Sequence, residues 1–144
     1  MYITLESDYA VRITAQLCKS ARKEDARTLA EECGVSLRFA LKILGKLVAA
    51  DIVKSTKGAA GGYMINKNPA EITLSDIIEV TEGKYYFSRC LEDGTKCSRG
   101  ASGSCNFQKA FADITETVRA KLEEYTFADL IEEDKNSMNN QKEI

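Results

Sequence analysis

The stretch CLEDGTKCSRGASGSC, Cys90 to Cys105, holds three of the five cysteines of this chain in the spacing C-x6-C-x7-C. Thiolates are soft ligands for iron–sulfur clusters and zinc, and a polar, glycine-dotted loop carrying three of them can wrap one inorganic centre. Zinc sites favour two closely spaced cysteine pairs, and neither interval here is that short. Three thiols also leave a fourth ligand to be found. The alternative is a set of unligated thiols with redox reactivity. Cys105 lies just before a long helical pattern, where unpaired amides and the helix dipole favour a thiolate over a thiol. The chain has no histidine and no nucleophile set beside a base, which argues against acid–base or nucleophilic catalysis. We therefore expect a protein that is not an enzyme.

The elements around this loop come from periodicity. From Leu5 to about Ala21, Leu5, Tyr9, Ile13 and Leu17 recur at helical spacing, with Ala10 and Cys18 beside them and Asp8, Arg12 and Lys19 opposite. The segment TLAEECGVSLRFALKILGKLVAAD predicts a short helix, a turn at Gly34 to Ser36, and a second helix capped by Ser36. In that second helix Leu37, Ala40, Leu41, Leu44, Leu47 and Val48 are expected to form the buried stripe. Arg38, Lys42, Gly45, Lys46 and Ala49 take the opposite face. In IVKSTKGAAGGYMIN two short β-prone runs flank GAAGG, which predicts a hairpin, or wing. GAAGG is not a phosphate loop, because no Lys-Ser/Thr follows it and it sits between two strands.

Pro69 closes this region, and ITLSDIIEVTEG predicts a helix capped by Thr73 with Asp76 three residues on, ending at Gly83. Beyond the cysteine loop, Phe107, Ala110, Phe111, Ile114, Val118, Leu122 and Tyr125 mark one long helix that needs another surface to cover it. Thr126 and Asp129 start a short helix holding Phe127, Leu130 and Ile131. The remainder, EEDKNSMNNQKEI, is too polar to pack and is expected to be disordered.

Charge separates along the chain although the total is only −2: through residue 70, 11 Lys+Arg against 7 Asp+Glu gives +4, and beyond it 9 against 15 gives −6. A positive front half on an acidic protein points to a polyanionic partner. A helix-turn-helix places its second helix in the major groove of double-stranded DNA, with residues near its amino end facing base edges. Ser36, Leu37, Arg38, Phe39 and Lys42 are the candidates there, with Arg38, Phe39 and Lys42 facing the groove. On the wing, Lys54 and Lys57 flank a tip whose Gly58, Gly61 and Gly62 would allow close approach to the DNA backbone or minor groove. Thr28 would donate to a phosphate. The bland alternative for each basic residue is a solvated helix face.

No apolar run is long enough to cross a bilayer, and the amino terminus carries acids where a secretion signal would be basic and then apolar. A cytoplasmic location without membrane contact is expected. In that reducing setting an odd number of cysteines argues for metal or redox chemistry over disulfides. Cys18 and Cys33 fall on apolar helix faces and read as small core residues.

Taken together, DYAVR at 8–12, SLRFALKILGKLVAADIVKSTKGAAGGY at 36–63, EITLSDIIEVTEG at 71–83 and the three-cysteine loop before a long helix resemble the Rrf-two family of winged-helix regulators. That family includes IscR-like, NsrR-like and CymR-like members. The resemblance implies a mainly α fold, a winged helix-turn-helix with a small β-hairpin wing and a long C-terminal dimerisation helix. It implies a homodimer on a palindromic operator, with a 4Fe-4S or 2Fe-2S cluster, readily lost in air, held by Cys90, Cys97 and Cys105. IscR-like members complete ligation with a histidine, which this chain lacks. NsrR-like members use an aspartate of the other subunit in the context D-[FY]-A-x-R, and Asp8 matches it. The intervals in this loop are slightly longer than the family's usual five.

The organisation expected is then 1–83 as the DNA-binding unit, 84–105 as the cluster loop, 106–131 as the dimerisation and C-terminal helices, and 132–144 as the tail. The function expected is a transcriptional regulator, a repressor by analogy, that responds to nitric oxide, iron or cluster supply, or redox state. Two alternatives stand beside it: a cluster-free regulator controlled by a protein partner, as in CymR-like members, and a zinc or dithiol module for protein contacts.

Overall fold

The computed structural model describes residues 2–142, with side chains described as far as residue 137. Six α-helices and one two-stranded antiparallel hairpin make up the regular structure, with single 3-10 turns at Pro69–Glu71 and Arg89–Leu91.

Helix α1 (Leu5–Ser20) begins where the Thr4 hydroxyl accepts the Ser7 N–H, and it buries Ala10, Ile13 and Leu17. Leu5, which opens the apolar pattern, is 68% exposed, whereas Ser7 in the same turn is fully buried against Thr81 and Glu82. Helices α2 (Ala26–Cys33) and α3 (Leu37–Ala49) form the expected helix-turn-helix. Asp25 caps the first, Ser36 caps the second by accepting the Phe39 N–H, and Gly34 supplies the left-handed turn between them. Each cap satisfies an amide that the helix itself leaves without a partner.

The buried face of α3 differs from the expected stripe at two positions. Leu41 is 44% exposed, whereas Ile43 is fully buried with Ala40, Leu44 and Leu47. Ile43 lies three residues after Ala40 and four before Leu47, so the 3.6-residue period carries it to the core and turns Leu41 toward the face of Arg38 and Lys42. Cys33 is buried and Cys18 half-buried, both as free thiols. Burial raises the Cys33 thiol above its ordinary pKa, helped by the Glu32 carboxylate, and burial pushes Cys18 up to about 11. Both suit core residues.

Strands β1 (Val53–Thr56) and β2 (Gly62–Ile65) pair in the register Val53–Ile65 to Thr56–Gly62. Tyr63 also exchanges both main-chain hydrogen bonds with Glu24, at 2.9 and 2.7 Å, so the segment before α2 acts as a one-residue third strand. Lys23 Nζ reaches the Ala60 carbonyl at 2.9 Å and ties down the tip.

Glu24 is only 6% exposed, and neither carboxylate oxygen meets a donor among the described residues. A buried charge without a partner costs stability, on the order of 1–3 kcal/mol for an unsatisfied polar group and more for an ion. Glu24→Gln removes the charge and keeps the shape and the backbone bridge. Its melting temperature is expected to rise above the parent's in a thermal unfolding scan, and a fall would show that the carboxylate is satisfied in solution.

Helix α4 (Leu74–Glu82) carries the expected capping box: Thr73 Oγ1 accepts the Asp76 N–H and Asp76 accepts the Thr73 N–H. It ends at Gly83, the loop of residues 84–105 follows, and α5 (Asn106–Glu124) begins directly after Cys105. Thr115 is the buried residue of α5, its hydroxyl accepting the Phe87 N–H at 3.1 Å. Phe87 and Phe111 stack nearby with ring centroids 5.4 Å apart. Phe107 is 70% exposed, and Ile114 and Tyr125 are about as uncovered as Leu41.

Helix α6 (Phe127–Lys142) folds back on the first half. The Phe127 N–H donates to the Ile72 carbonyl at 2.9 Å, and Phe127 and Ile131 join the core built by α1 to α4. Burying each large side chain in that core contributes about 1.5–3 kcal/mol. The helical backbone continues to Lys142, past Ile131, where composition predicted a disordered tail. Glu132 to Ser137 are exposed, and Lys19 pairs with Asp134 at 3.2 Å. Residues 143 and 144 of the expected tail lie outside the described residues.

Candidate nucleic-acid interface and metal-ligand loop

The amino end of α3 forms one hollow of about 580 Å³ lined by Ser36, Arg38, Phe39 and Lys42. Arg38 is exposed and meets no acceptor among the described residues. Ser36 is occupied as the helix cap, and Leu37 is half-buried against the core. Phe39 is half-buried as well: its ring meets Tyr9 edge-on at 5.6 Å, and Lys42 lies over its other side at 5.4 Å. Phe39 thus stands at the rim of the hollow and supports it from α1. Leu41, absent from the sequence-based set, shares the exposed face and would suit an apolar contact with a thymine methyl.

The lysines of α3 are not free cations. Lys42 Nζ pairs with Glu6 Oε2 at 2.7 Å, and Lys46 Nζ pairs with Glu6 Oε1 at 2.5 Å and donates to the Thr81 carbonyl at 3.1 Å. These two lysines, Lys42 foremost, hold the Glu6 carboxyl below its ordinary pKa. Glu6 was not legible as a site residue because its partners are 36 and 40 positions away.

Glu6 is in turn fixed by its own helix. One carboxylate oxygen of Glu82, at the end of α4, accepts from the Thr4 N–H at 2.8 Å, the Thr4 hydroxyl at 3.0 Å and the Ser7 hydroxyl. Burial would raise the Glu82 pKa, but the Ser7 and Thr4 donors outweigh it and leave the carboxyl below its ordinary value.

Thr28 does not present a spare proton: its hydroxyl donates to Asp25 at 2.7 Å, and this bond holds Asp25 below its ordinary pKa. Lys54 and Lys57 are exposed along and beyond β1. The wing glycines have internal reasons to be small. A Cβ on Gly61 would meet the Thr56 carbonyl at 2.3 Å, and one on Gly62 would meet the Glu24 carbonyl at 2.6 Å. Only Gly58, with φ 101° and open space around it, is free of such walls.

In the loop, Cys90, Cys97 and Cys105 are all free and half-buried. Cys90 sits in the 3-10 turn, its sulfur 3.3 Å from the Ser88 hydroxyl and its carbonyl accepting from Gln108 at 2.9 Å. The backbone N–H groups of Ala101 and then Arg99 lower the Cys97 thiol below its ordinary pKa. Cys105 occupies the cap position of α5, with no side-chain cap bond. Cysteine sulfurs are the donors an iron–sulfur centre takes, so the donor set fits one. The arrangement within one protomer is not closed: among the described residues no three Cys, Asp or Glu side chains converge on a point that could hold a metal ion. Asp8 lies in the first turn of α1, paired with Arg12 at 2.7 Å, and both side chains remain substantially exposed.

No helix among the described residues is long and apolar enough to cross a membrane. Comparison with known proteins gives a consistent result. The family model Rrf2, described as an iron-dependent transcriptional regulator, matches residues 3–133. Protein aau3 of Rhizobium meliloti is 30% identical over 132 residues, covering 91% of this chain and 85% of that protein. The structure of CymR, the global cysteine regulator of B. subtilis, superposes with a TM-score of 0.72 at 26% identity, covering 92% of this chain and 97% of that one. IscR of T. potens superposes with a TM-score of 0.75 at 22% identity, covering 95% and 90%.

Proposed function

Because the chain belongs to the Rrf2 family of transcriptional regulators, we propose that it is a cytoplasmic repressor that binds a palindromic operator as a homodimer, under the control of an iron–sulfur centre. The observation that carries this reading is the presence, in one chain, of an unpaired reading residue, Arg38, at the mouth of the α3 hollow and three free thiols on the loop before α5. Cys90, Cys97 and Cys105 would hold the centre. When bound, it supplies a redox-active, iron-labile group sensitive to nitric oxide or iron supply.

The chain's own residues convert occupancy of that loop into DNA affinity. Tethered at three sulfurs, residues 84–105 hold a fixed path between the end of α4 and the start of α5. Untethered, the part from Cys90 to Cys105 has almost no core-forming side chains to keep that path, the nearest anchor being Phe87 on Phe111 and Thr115. The exposed Phe107, Ile114 and Tyr125 of α5 offer the apolar face for a second copy, so the spacing of two reading heads follows the path of the loop. This is coupling in the strict sense only if the two loop states favour different dimer geometries.

The test is purification without oxygen, iron and sulfide analysis, and binding to the protein's own promoter region over a salt series. Loaded and stripped forms are expected to differ in operator affinity. Equal occupancy of every target by both forms sinks the sensing mechanism, and absence of salt-dependent binding sinks the DNA-binding function. A second reading, a cluster-free regulator controlled by a protein partner, takes its support from the match to CymR of B. subtilis. A colourless protein after reconstitution, with operator binding intact, would select it.

The fourth ligand is assigned to the partner subunit's Asp8. In its own chain Asp8 has one exposed ion pair, worth at most about 1 kcal/mol. Asp8→Ala should therefore leave the fold unchanged while shortening the lifetime of the bound centre in air, followed by visible absorbance. Unchanged spectra and lifetime would reduce Asp8 to a helix-end charge.

A further inference from the structure

Two of the three cations on α3, Lys42 and Lys46, already share one carboxylate inside the protein. Lys46 is the deeper partner, 35% exposed and shared between Glu6 and the Thr81 carbonyl, so it anchors the carboxylate. Lys42 is 53% exposed and lies at the hollow beside Arg38, where a phosphate or a base edge would arrive. The Glu6 side chain is only 16% exposed, and the α1 turn that carries it is clamped to Glu82 through Thr4 and Ser7. A lysine has one charge to share, so Lys42 meets a DNA phosphate at full strength only by leaving Glu6.

We propose that Glu6 is a specificity-determining residue: it competes with DNA phosphate for Lys42, so that bulk DNA sees one fewer cation than the reading helix carries. This rests on the DNA-binding function proposed above. At random sequence the gain from one phosphate contact does not offset the broken pair, and Lys42 stays on Glu6. At the operator, base contacts from Arg38 bring the helix closer, and Lys42 transfers to the DNA. Glu6 thereby widens the gap between operator and bulk affinity. It acts on DNA only through Lys42 and is a positioning residue.

The readout is the salt dependence of binding, which counts phosphate contacts and is insensitive to a merely structural role. For a duplex of random sequence, Glu6→Gln is expected to steepen the slope of log K against log salt by about 0.9. Over a fourfold range of salt that is about a three- to fourfold greater change in affinity than the parent shows. Lys42→Gln added in the Glu6→Gln background should erase that gain and bring the slope back to about the parent's. Circular dichroism of each variant confirms an intact fold before binding is read. The ratio of operator to random-sequence affinity should fall in Glu6→Gln.

An unchanged or shallower slope in Glu6→Gln, with a parent that binds DNA, overturns this inference and leaves the DNA-binding function standing. A slope that steepens equally when Lys42 is also replaced overturns it too. A parent that binds no duplex even at low salt removes both.

Discussion

A Cys97→Ser chain, purified and reconstituted without oxygen, is expected to carry no iron or sulfide above background and to lose the difference between loaded and stripped operator binding. Serine keeps the size of cysteine but presents a hydroxyl, which stays protonated at neutral pH and is a hard, weak ligand. Nothing else in the chain can replace the lost sulfur: there is no histidine, and Cys18 and Cys33 are held in or against the core with raised pKa values. Cys97 is also the loop thiol whose deprotonated form is favoured by amide donors, from Ala101 and Arg99. Because it lies outside the core, the substitution should leave helicity and melting temperature of the stripped protein unchanged. Iron and sulfide at parental levels in the variant would mean that residues 90–105 do not form the binding site.

Arg38→Ala should produce the largest change in operator recognition. Among the described residues Arg38 is the one cation of α3 with no internal partner, and it stands at the amino end of the helix, where groove-reading residues reach base edges. A bidentate arginine–guanine contact is worth about 1–3 kcal/mol of discrimination, roughly 5- to 150-fold in affinity. The loss should be larger for the operator than for random duplex, so selectivity falls with affinity. An unchanged footprint and affinity would show that the reading face lies elsewhere, toward the wing. No effect on folding is expected, since the side chain is exposed and makes no hydrogen bond or ion pair among the described residues.

The local parts of this fold were legible because each is written in a few neighbouring residues. Ser36, Thr73 with Asp76, and Thr126 with Asp129 fix helix starts through hydrogen bonds within three positions, and the structure makes all of them. Leu41 and Ile43 show the limit of reading a stripe by eye. In so apolar a helix several registers look similar, and contacts with α1 and α4 decide between them. The candidate ligands were legible as cysteines of one loop, but the path between them was not, because residues 90–105, almost without core side chains, have no local code for it.

Glu6 and Glu82 were invisible for a different reason. Their meaning lies in partners brought from distant parts of the chain, and a lone acid near a helix start reads as a dipole effect. Thr28 shows a second thing the sequence hides: its hydroxyl, read there as a phosphate donor, donates to Asp25 in the free chain.

The wing glycines bear on how such a regulator can diverge. Gly61 and Gly62 are walled by the carbonyls of Thr56 and Glu24, so any side chain there would push the hairpin off its mount. Descendants that acquire a new target sequence can therefore experiment at Lys57, Ala59 and Ala60, which project outward from the bend. A library randomised across the tip should return survivors varied at those three places and monotonous at the two glycines.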